Sequence, residues 1–300
     1  MRGALFMAVS MAGFTINDGL SKLLMESMNM GQVMLVRGIF ATALIGTLAG
    51  VQGVLSGFRQ LAHPMVALRS ACELVATVLF LVALMHMPLA NVSAVLQALP
   101  LAVTMGAALF LGEKVGWRRW LAICIGFSGV LIIVRPGFEG FNAFSLLALS
   151  CVMFAAARDV ATRLIPQEIP SVLVSTATAA MVTGAGAILI MPLGGWTPMT
   201  AGQTGILATS AVLLLFGYQF IIMAMRIGDI SFVAPFRYTA LLWAIVLGVL
   251  LFSHMPDAPM LVGASIVIGS GLYALYREQI VGRHKPAAES TGPGMGTDGL

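Results

Sequence analysis

The chain has 300 residues, of which 59% are hydrophobic and 9% charged, with a mean hydropathy of +0.97. A soluble globular chain carries roughly 25% charged residues, so this one lacks the polar surface to cover itself in water and its outside is expected to face lipid. The formal net charge of +4 is spread over short loops and gathers on no single basic face, which argues against nucleic acid as a partner.

A helix needs about 20 apolar residues to cross the hydrocarbon core. Ten such runs follow one another, at about 3–24, 32–51, 65–86, 90–111, 118–135, 143–163, 172–192, 203–224, 231–252 and 259–276. The first is read as a membrane anchor and not a removable signal peptide, because no small-residue cleavage site with a soluble domain follows it. The breaks carry Gly, Pro or charge, as at Met28-Asn29-Met30-Gly31, His86-Met87-Pro88, Gly112-Glu113-Lys114, Arg135-Pro136-Gly137 and Gly228-Asp229. The expected fold is therefore an all-α integral membrane protein of ten transmembrane helices. The segment from 279 to 300, rich in Gly, Pro and Ser, reads as a disordered cytoplasmic tail.

Lys and Arg bias sets orientation. With the N-terminus inside, the cytoplasmic segments hold Arg2, Arg59, Lys114, Arg118, Arg119, Arg163, Arg226, Arg277, Arg283 and Lys285, against Arg135 on the far side. Both termini are expected in the cytoplasm, and the expected location is a bacterial inner membrane. Cys72, Cys124 and Cys151 fall in apolar runs with no CxxC pair, and the four histidines are scattered, so neither a metal site nor a cofactor is expected.

The ten spans divide into two halves of five, residues 1–136 and 142–277. A shift of 141 residues lays Asp18-Gly-Leu-Ser-Lys22 over Asp159-Val-Ala-Thr-Arg163, and also Ala83 on Ala224, Val92 on Val233 and Leu101 on Leu242; a shift of 142 puts Ser128-Gly129 on Ser270-Gly271. Five is odd, so the second half would enter the membrane from the opposite side, as an inverted-topology repeat of the kind that supports alternating access.

Ionisable residues inside a bilayer cost roughly 2.5–3.5 kcal/mol each on insertion scales and persist where they pair or line water. Six basic residues (Lys22, Arg37, Arg69, Arg158, Arg163, Arg237) and three acidic ones (Asp18, Glu73, Asp159) lie within spans. Three pairs have i, i+4 spacing: Asp18–Lys22, Arg69–Glu73 and Asp159–Arg163. Lys22, Arg69 and Arg163 are near helix ends and are read as neutralising or snorkelling. Asp18, Arg37, Glu73, Asp159 and Arg237 are deeper and are read as lining a cavity, with Asp18, Glu73 and Asp159 the candidate proton-coupling carboxylates.

A second cluster is Ala234-Pro235-Phe236-Arg237-Tyr238, where proline is expected to kink span nine, Arg237 to take an anionic group, and Phe236 and Tyr238 to stack on a ring. Its counterpart in span four holds Gln97 and Pro100, and Tyr218, Gln219 and Trp243 add ring and hydrogen-bonding capacity. The substrate-binding or gating set is thus Asp18, Arg37, Gln97, Asp159, Arg237 and Tyr238. Gly126, Gly129, Gly269 and Gly271 in spans five and ten read as close-packing faces and as a route to a homodimer.

At Asn17-Asp18 with Lys22, Arg37, Arg69, Leu111-Gly112-Glu113-Lys114, Asp159 with Arg163, and Ala234-Pro235-Phe236-Arg237-Tyr238, the chain resembles the drug/metabolite transporter superfamily with two EamA-type repeats. The second half has Ser253-His254-Met255-Pro256 in place of the Gly-Glu-Lys stretch. The resemblance implies a carrier of a small organic metabolite, most similar in appearance to riboflavin and S-adenosylmethionine carriers. An excess of three positive intramembrane charges would repel a sulfonium, which favours riboflavin uptake. The alternatives are S-adenosylmethionine transport, export of amino acids or drugs, and an intramembrane scaffold. An enzyme is disfavoured because no HExxH, nucleophile elbow or Walker A motif is present.

Overall fold

The computed structural model describes residues 2–113, 115–135, 143–166, 168–227 and 233–281. Lys114, Pro136-Gly137, Gly228-Asp229, Arg283, Lys285 and the tail from residue 282 lie outside the described residues. The apolar runs are helical: α1 (Arg2–Leu24), α2 (Met30–Val51), α3 (Pro64–His86), α4 (Leu89–Leu96), α5 (Leu99–Phe110), α6 (Trp117–Val134), α7 (Phe144–Arg163), α8 (Ser171–Ile190), α9 (Ala201–Ile227), α10 (Thr239–Phe252) and α11 (Ala258–Val281). No strand occurs among the described residues. Helix α11 runs to Val281, past the expected start of the tail at 279.

Nine segments of the described chain are long and apolar enough to cross a membrane, with α4 and α5 counted together as Leu89–Phe110 and α10 joined to the 3₁₀ turn before it as Ala234–Phe252. Helix α1 is not among the nine, since Asn17, Asp18 and Lys22 lower its hydropathy. Its 23 residues still make a helix of about 34 Å, long enough for a core of about 30 Å. The outer surface is greasy where it meets lipid: Phe110, Ile188, Met191 and Leu250 are all largely exposed. In water such a surface would associate.

Local chemistry sets the helix ends. Asn29 caps α2 by accepting from the Gln32 N–H at 2.8 Å, and His63 caps α3 by accepting from the Met65 N–H at 3.2 Å, with Pro64 in the first turn. An unforeseen 3₁₀ segment, Val54–Ala62, connects α2 to α3 after Gly53 at φ 70°. Span four breaks at Gln97-Ala98 ahead of Pro100, whose missing N–H cannot continue the ladder. Span nine opens with the 3₁₀ turn Ala234–Tyr238 around Pro235.

The 141-residue offset reaches well beyond the sequence matches. Met30 and Ser171, Trp117 and Ala258, and His86 and Ile227 are helix termini 141 apart. Gly112 (φ 68°) and Ser253 (φ 54°), also 141 apart, are both left-handed after α5 and α10. The next N–H in each case bonds the carbonyl six residues back, Glu113 to Ala107 and His254 to Gly248, so both helices end in the same left-handed cap. The Gly-Glu-Lys stretch thus begins as a helix stop, and Ser253 adopts in the second half the conformation that glycine adopts freely in the first.

The most extensive helix contacts follow the same rule. Helix α2 packs on α8 and α6 on α11, each a helix with its own counterpart, while α1 packs on α9 and α3 on α7, which exchange under the offset. At the centre of the first pair, the hydroxyls of Thr42 and Thr183 lie 3.1 Å apart, 141 residues from each other. The α2–α8 approach depends on glycine, since a Cβ on Gly31 would lie 2.7 Å from the Ile190 nitrogen and one on Gly186 2.7 Å from that of Leu35. Gly126 and Gly129, expected on close-packing faces, seat α11 inside the chain: a Cβ on either would strike Ser270 or the Gly263 carbonyl. Gly271 is likewise used internally, against the Tyr238 ring.

Candidate functional site

Between the two halves lies a cavity of about 290 Å³, to which, among the described residues, every helix except α6 contributes. Asp18, Arg37, Glu73, Gln97, Arg237 and Tyr238 all line it, and Arg158 does so as well. Asp159 stands behind Arg158 and does not itself line the space. Neutral polar groups from Thr15, Asn17, Ser93, Ser175 and Thr178 and the rings of Phe14, Phe80 and Tyr218 complete the wall. The Tyr218 ring is held edge-on to Phe14 at 5.0 Å.

At the end where α1 finishes and α2 begins, the polar groups are mostly neutral. The Asn17 side chain donates to Asp18 Oδ1 at 2.9 Å, while its Oδ1 accepts from Ser210 Oγ of α9 at 2.6 Å and from Arg37 at 3.3 Å. Arg37 also donates to Ser21 Oγ at 3.1 Å. The loops above are tied by a two-way bond between the Gln32 side chain and the Thr197 backbone at 2.8 and 3.0 Å, and by Asn29 donating to the Gly195 carbonyl.

At the opposite end, charge pairs with charge. Arg158 on α7 donates to Glu73 Oε2 on α3 at 2.7 Å and to Asp159 Oδ1 on its own helix at 2.7 Å. All three side chains are nearly withdrawn from solvent. Arg69 donates to Thr178 Oγ1 of α8 at 2.8 Å, and Ser70 shares that hydroxyl at 2.9 Å. Below them Val66, Ile169 and Val174 form a small apolar cluster with Leu61 and Ile165.

Several expectations change here. Lys22 is not the partner of Asp18: its Nζ donates to the carbonyls of Leu84 and Met87 (2.9 Å to the latter) at the end of α3, with the Phe252 ring 5.4 Å away. A cation at a helix C-terminus satisfies orphan carbonyls and the helix dipole together. Arg163 turns from Asp159 to Glu113, at 2.9 Å. The role expected of Arg163 falls to Arg158, one position from Asp159, because the face of α7 that meets Glu73 carries residue 158. Gln219 is exposed, Trp243 donates to the Ala8 carbonyl at 3.3 Å on the bundle's exterior, and Phe236 packs by Met7, Met11 and Phe14; none of the three lines the cavity. The charge balance changes as well. The cavity has Arg37, Arg158 and Arg237 against Asp18 and Glu73, with Asp159 neutralising Arg158 from behind. The lining itself thus carries three arginines against two carboxylates, a smaller positive excess than the three expected over all the spans.

The offset that pairs Asp18 with Asp159 also pairs Asn17 with Arg158, Ser210 with Arg69, Leu214 with Glu73, and Thr178 with Arg37. Arg158 was therefore detectable as the residue opposite the Asn17 of the Asn-Asp motif. Ser210 and Thr178, small and polar in apolar helices, carried no comparable signal.

Residues 1–135 match the EamA-like transporter family. The chain is 30% identical over 210 residues to a riboflavin transporter of Rhizobium johnstonii, a stretch that is 67% of this chain and 66% of that protein. It is 25% identical over 287 residues to an S-adenosylmethionine uptake transporter of Rickettsia prowazekii, covering 93% of this chain and 94% of that one. A solved crystal structure with 18% identity superposes with a TM-score of 0.61 over 91% of this chain and 98% of its own, a likeness of fold. With this match and these relatives, the chain carries an EamA-like transporter domain of the drug/metabolite transporter superfamily.

Proposed function

We propose that the protein is a multi-pass carrier that moves a small organic metabolite by alternating access, with riboflavin uptake as its specific activity. The observation that carries this reading is the central cavity, lined by buried charges and rings inside a bundle whose exterior is apolar. The shared helix termini, the twin left-handed caps and the exchanged α1–α9 and α3–α7 contacts support two inverted five-helix repeats, residues 1–136 and 142–277. Substrate would sit between the repeats, with Asp18, Arg37, Gln97, Arg237 and Tyr238 around it and Asp159 holding Arg158. The positive loops favour cytoplasmic termini. Asp18 accepts from the neutral Asn17, whereas Glu73 and Asp159 share an arginine. Of the three carboxylates, Asp18 is therefore the first candidate for proton coupling.

The test is saturable uptake of labelled riboflavin into proteoliposomes, with and without a pH gradient, beside Arg237→Ala and Asp18→Asn. Uptake lost in folded Arg237→Ala supports the carrier reading, since a scaffold would tolerate that change. Gradient dependence lost in Asp18→Asn supports coupling at that residue. No uptake by folded protein rejects the flavin. A second reading, S-adenosylmethionine, gains from the lining: its positive excess is smaller than the count over all spans, and Asp18 and Glu73 offer a sulfonium negative groups. Competition by unlabelled S-adenosylmethionine separates the two.

A further inference from the structure

The α3–α7 contact is crossed by a buried ion pair, Glu73–Arg158 at 2.7 Å, at the end of the bundle where α3 begins and α7 finishes. Breaking a buried pair is strongly unfavourable when it leaves a charge uncompensated. Here each helix holds its own second charge. Arg158 keeps Asp159, its neighbour on α7, at 2.7 Å. Glu73 has Arg69 one turn away on α3, the spacing at which opposite charges meet on a helix face. Helix α3 thus brings one Arg and one Glu to the contact, and α7 one Arg and one Asp. The equivalent α1–α9 contact has no such arrangement: the residues at the positions of Arg158, Glu73 and Arg69 are Asn17, Leu214 and Ser210, and the tie is the neutral Ser210–Asn17 bond with Ser10 donating to the Gly217 carbonyl at 2.6 Å.

We infer that Glu73–Arg158 is a self-compensating gate bond on one side of the cavity only: it breaks when α3 and α7 part, and Asp159 and Arg69 neutralise the two charges it releases. Asp159 is then a positioning residue whose function is to make opening possible, although it touches Arg158 in the closed form. The inference rests on the alternating-access reading, but its test measures opening and not flux.

Substitutions on the two sides of Arg158 should act in opposite directions. Glu73→Leu installs the residue found at the equivalent position of the other contact; it removes the tie across the helices and leaves Arg158 paired with Asp159. Asp159→Asn leaves Glu73 as the only carboxylate bonded to Arg158, so parting the helices would strand the arginine. Cys151 supplies a native probe, since it lies on α7, lines the cavity and is buried. In a Cys72→Ser, Cys124→Ser background, a membrane-impermeant maleimide is applied to vesicles from the side on which α3 begins and α7 ends. Glu73→Leu should raise the rate of Cys151 labelling on the order of tenfold, the population change expected from one charge-assisted hydrogen bond. Asp159→Asn should lower it below the parent. A Met11→Cys probe on α1, which also lines the cavity, with Cys151 replaced by serine and labelled from the other side, should not rise with Glu73→Leu. If Glu73→Leu does not fold, Glu73→Gln replaces it with the same expected sign. Labelling that moves the same way in both variants, as general loosening would produce, or that moves in neither, overturns the inference. Opposite signs in a protein that takes up no riboflavin would keep the gate and reject the flavin, whereas uptake with labelling that moves together would do the reverse.

Discussion

The α1–α9 and α3–α7 contacts occupy equivalent positions in the two halves, yet the first is closed by an amide and hydroxyls and the second by an arginine between two carboxylates. Their loops reverse the contrast: the α1–α9 end is capped by the Gln32–Thr197 and Asn29–Gly195 bonds, the α3–α7 end by apolar Leu61, Val66, Ile165, Ile169 and Val174. A shared backbone therefore does not enforce shared electrostatics. Packing requires matched helix lengths and close approaches, which the offset preserves. It does not require that both halves place charge at the same depth.

The largest expected effect comes from removing the shared cation. Arg158→Ala strands Asp159 and leaves Glu73 to Arg69 alone, and should lower stability in detergent by about 3–5 kcal/mol. Asn17→Ala, the equivalent change, removes hydrogen bonds without stranding a pair and should cost about 1–3 kcal/mol. Equal losses of thermal stability would break the comparison. The glycines come next. Gly271→Ala drives a methyl into the Tyr238 hydroxyl and should cost about 1–3 kcal/mol. Gly269→Ala meets nothing within 4 Å and should be close to neutral. A double-mutant cycle on Thr42→Val and Thr183→Val tests the axis between the halves, where a coupling of about 0.6 kcal/mol is expected for one interhelical bond in a membrane protein. Smallest of all, Asp257→Asn removes the exposed ion pair with Arg135 and should change stability by about 0–1 kcal/mol, less at high salt.

Much of this arrangement was legible in the residues. Among the described residues, every expected span lies on a helix or on a helix with its flanking turn, because a long apolar run has few other ways to satisfy its backbone in lipid. The break at Gln97 and the turn at Pro235 follow from proline chemistry. Ion pairing was less legible. Helical spacing suggested Asp18–Lys22 and Asp159–Arg163, but the carbonyls at the end of α3 take Lys22 and Glu113 takes Arg163. Periodicity restricts the partners available on one helix and carries no information about groups that another helix presents. Trp243 and Gln219 were misjudged for the same reason, since an aromatic or amide in an apolar run has no mark that separates a cavity-facing position from an outward one.

The sequence by itself determined the membrane class, the spans, their breaks and the 141-residue correspondence, because these depend on hydropathy, proline and repeated order along one chain. Only the tertiary structure decided that Arg158 joins Glu73 to Asp159, that Gly126 and Gly129 seat a helix of the same chain, and which of the buried charges line the cavity. Those outcomes depend on which helix faces meet. In a bundle where nearly every residue is apolar, facing is set by small steric allowances such as Gly31 against Ile190, and these become visible only when both partners are in place.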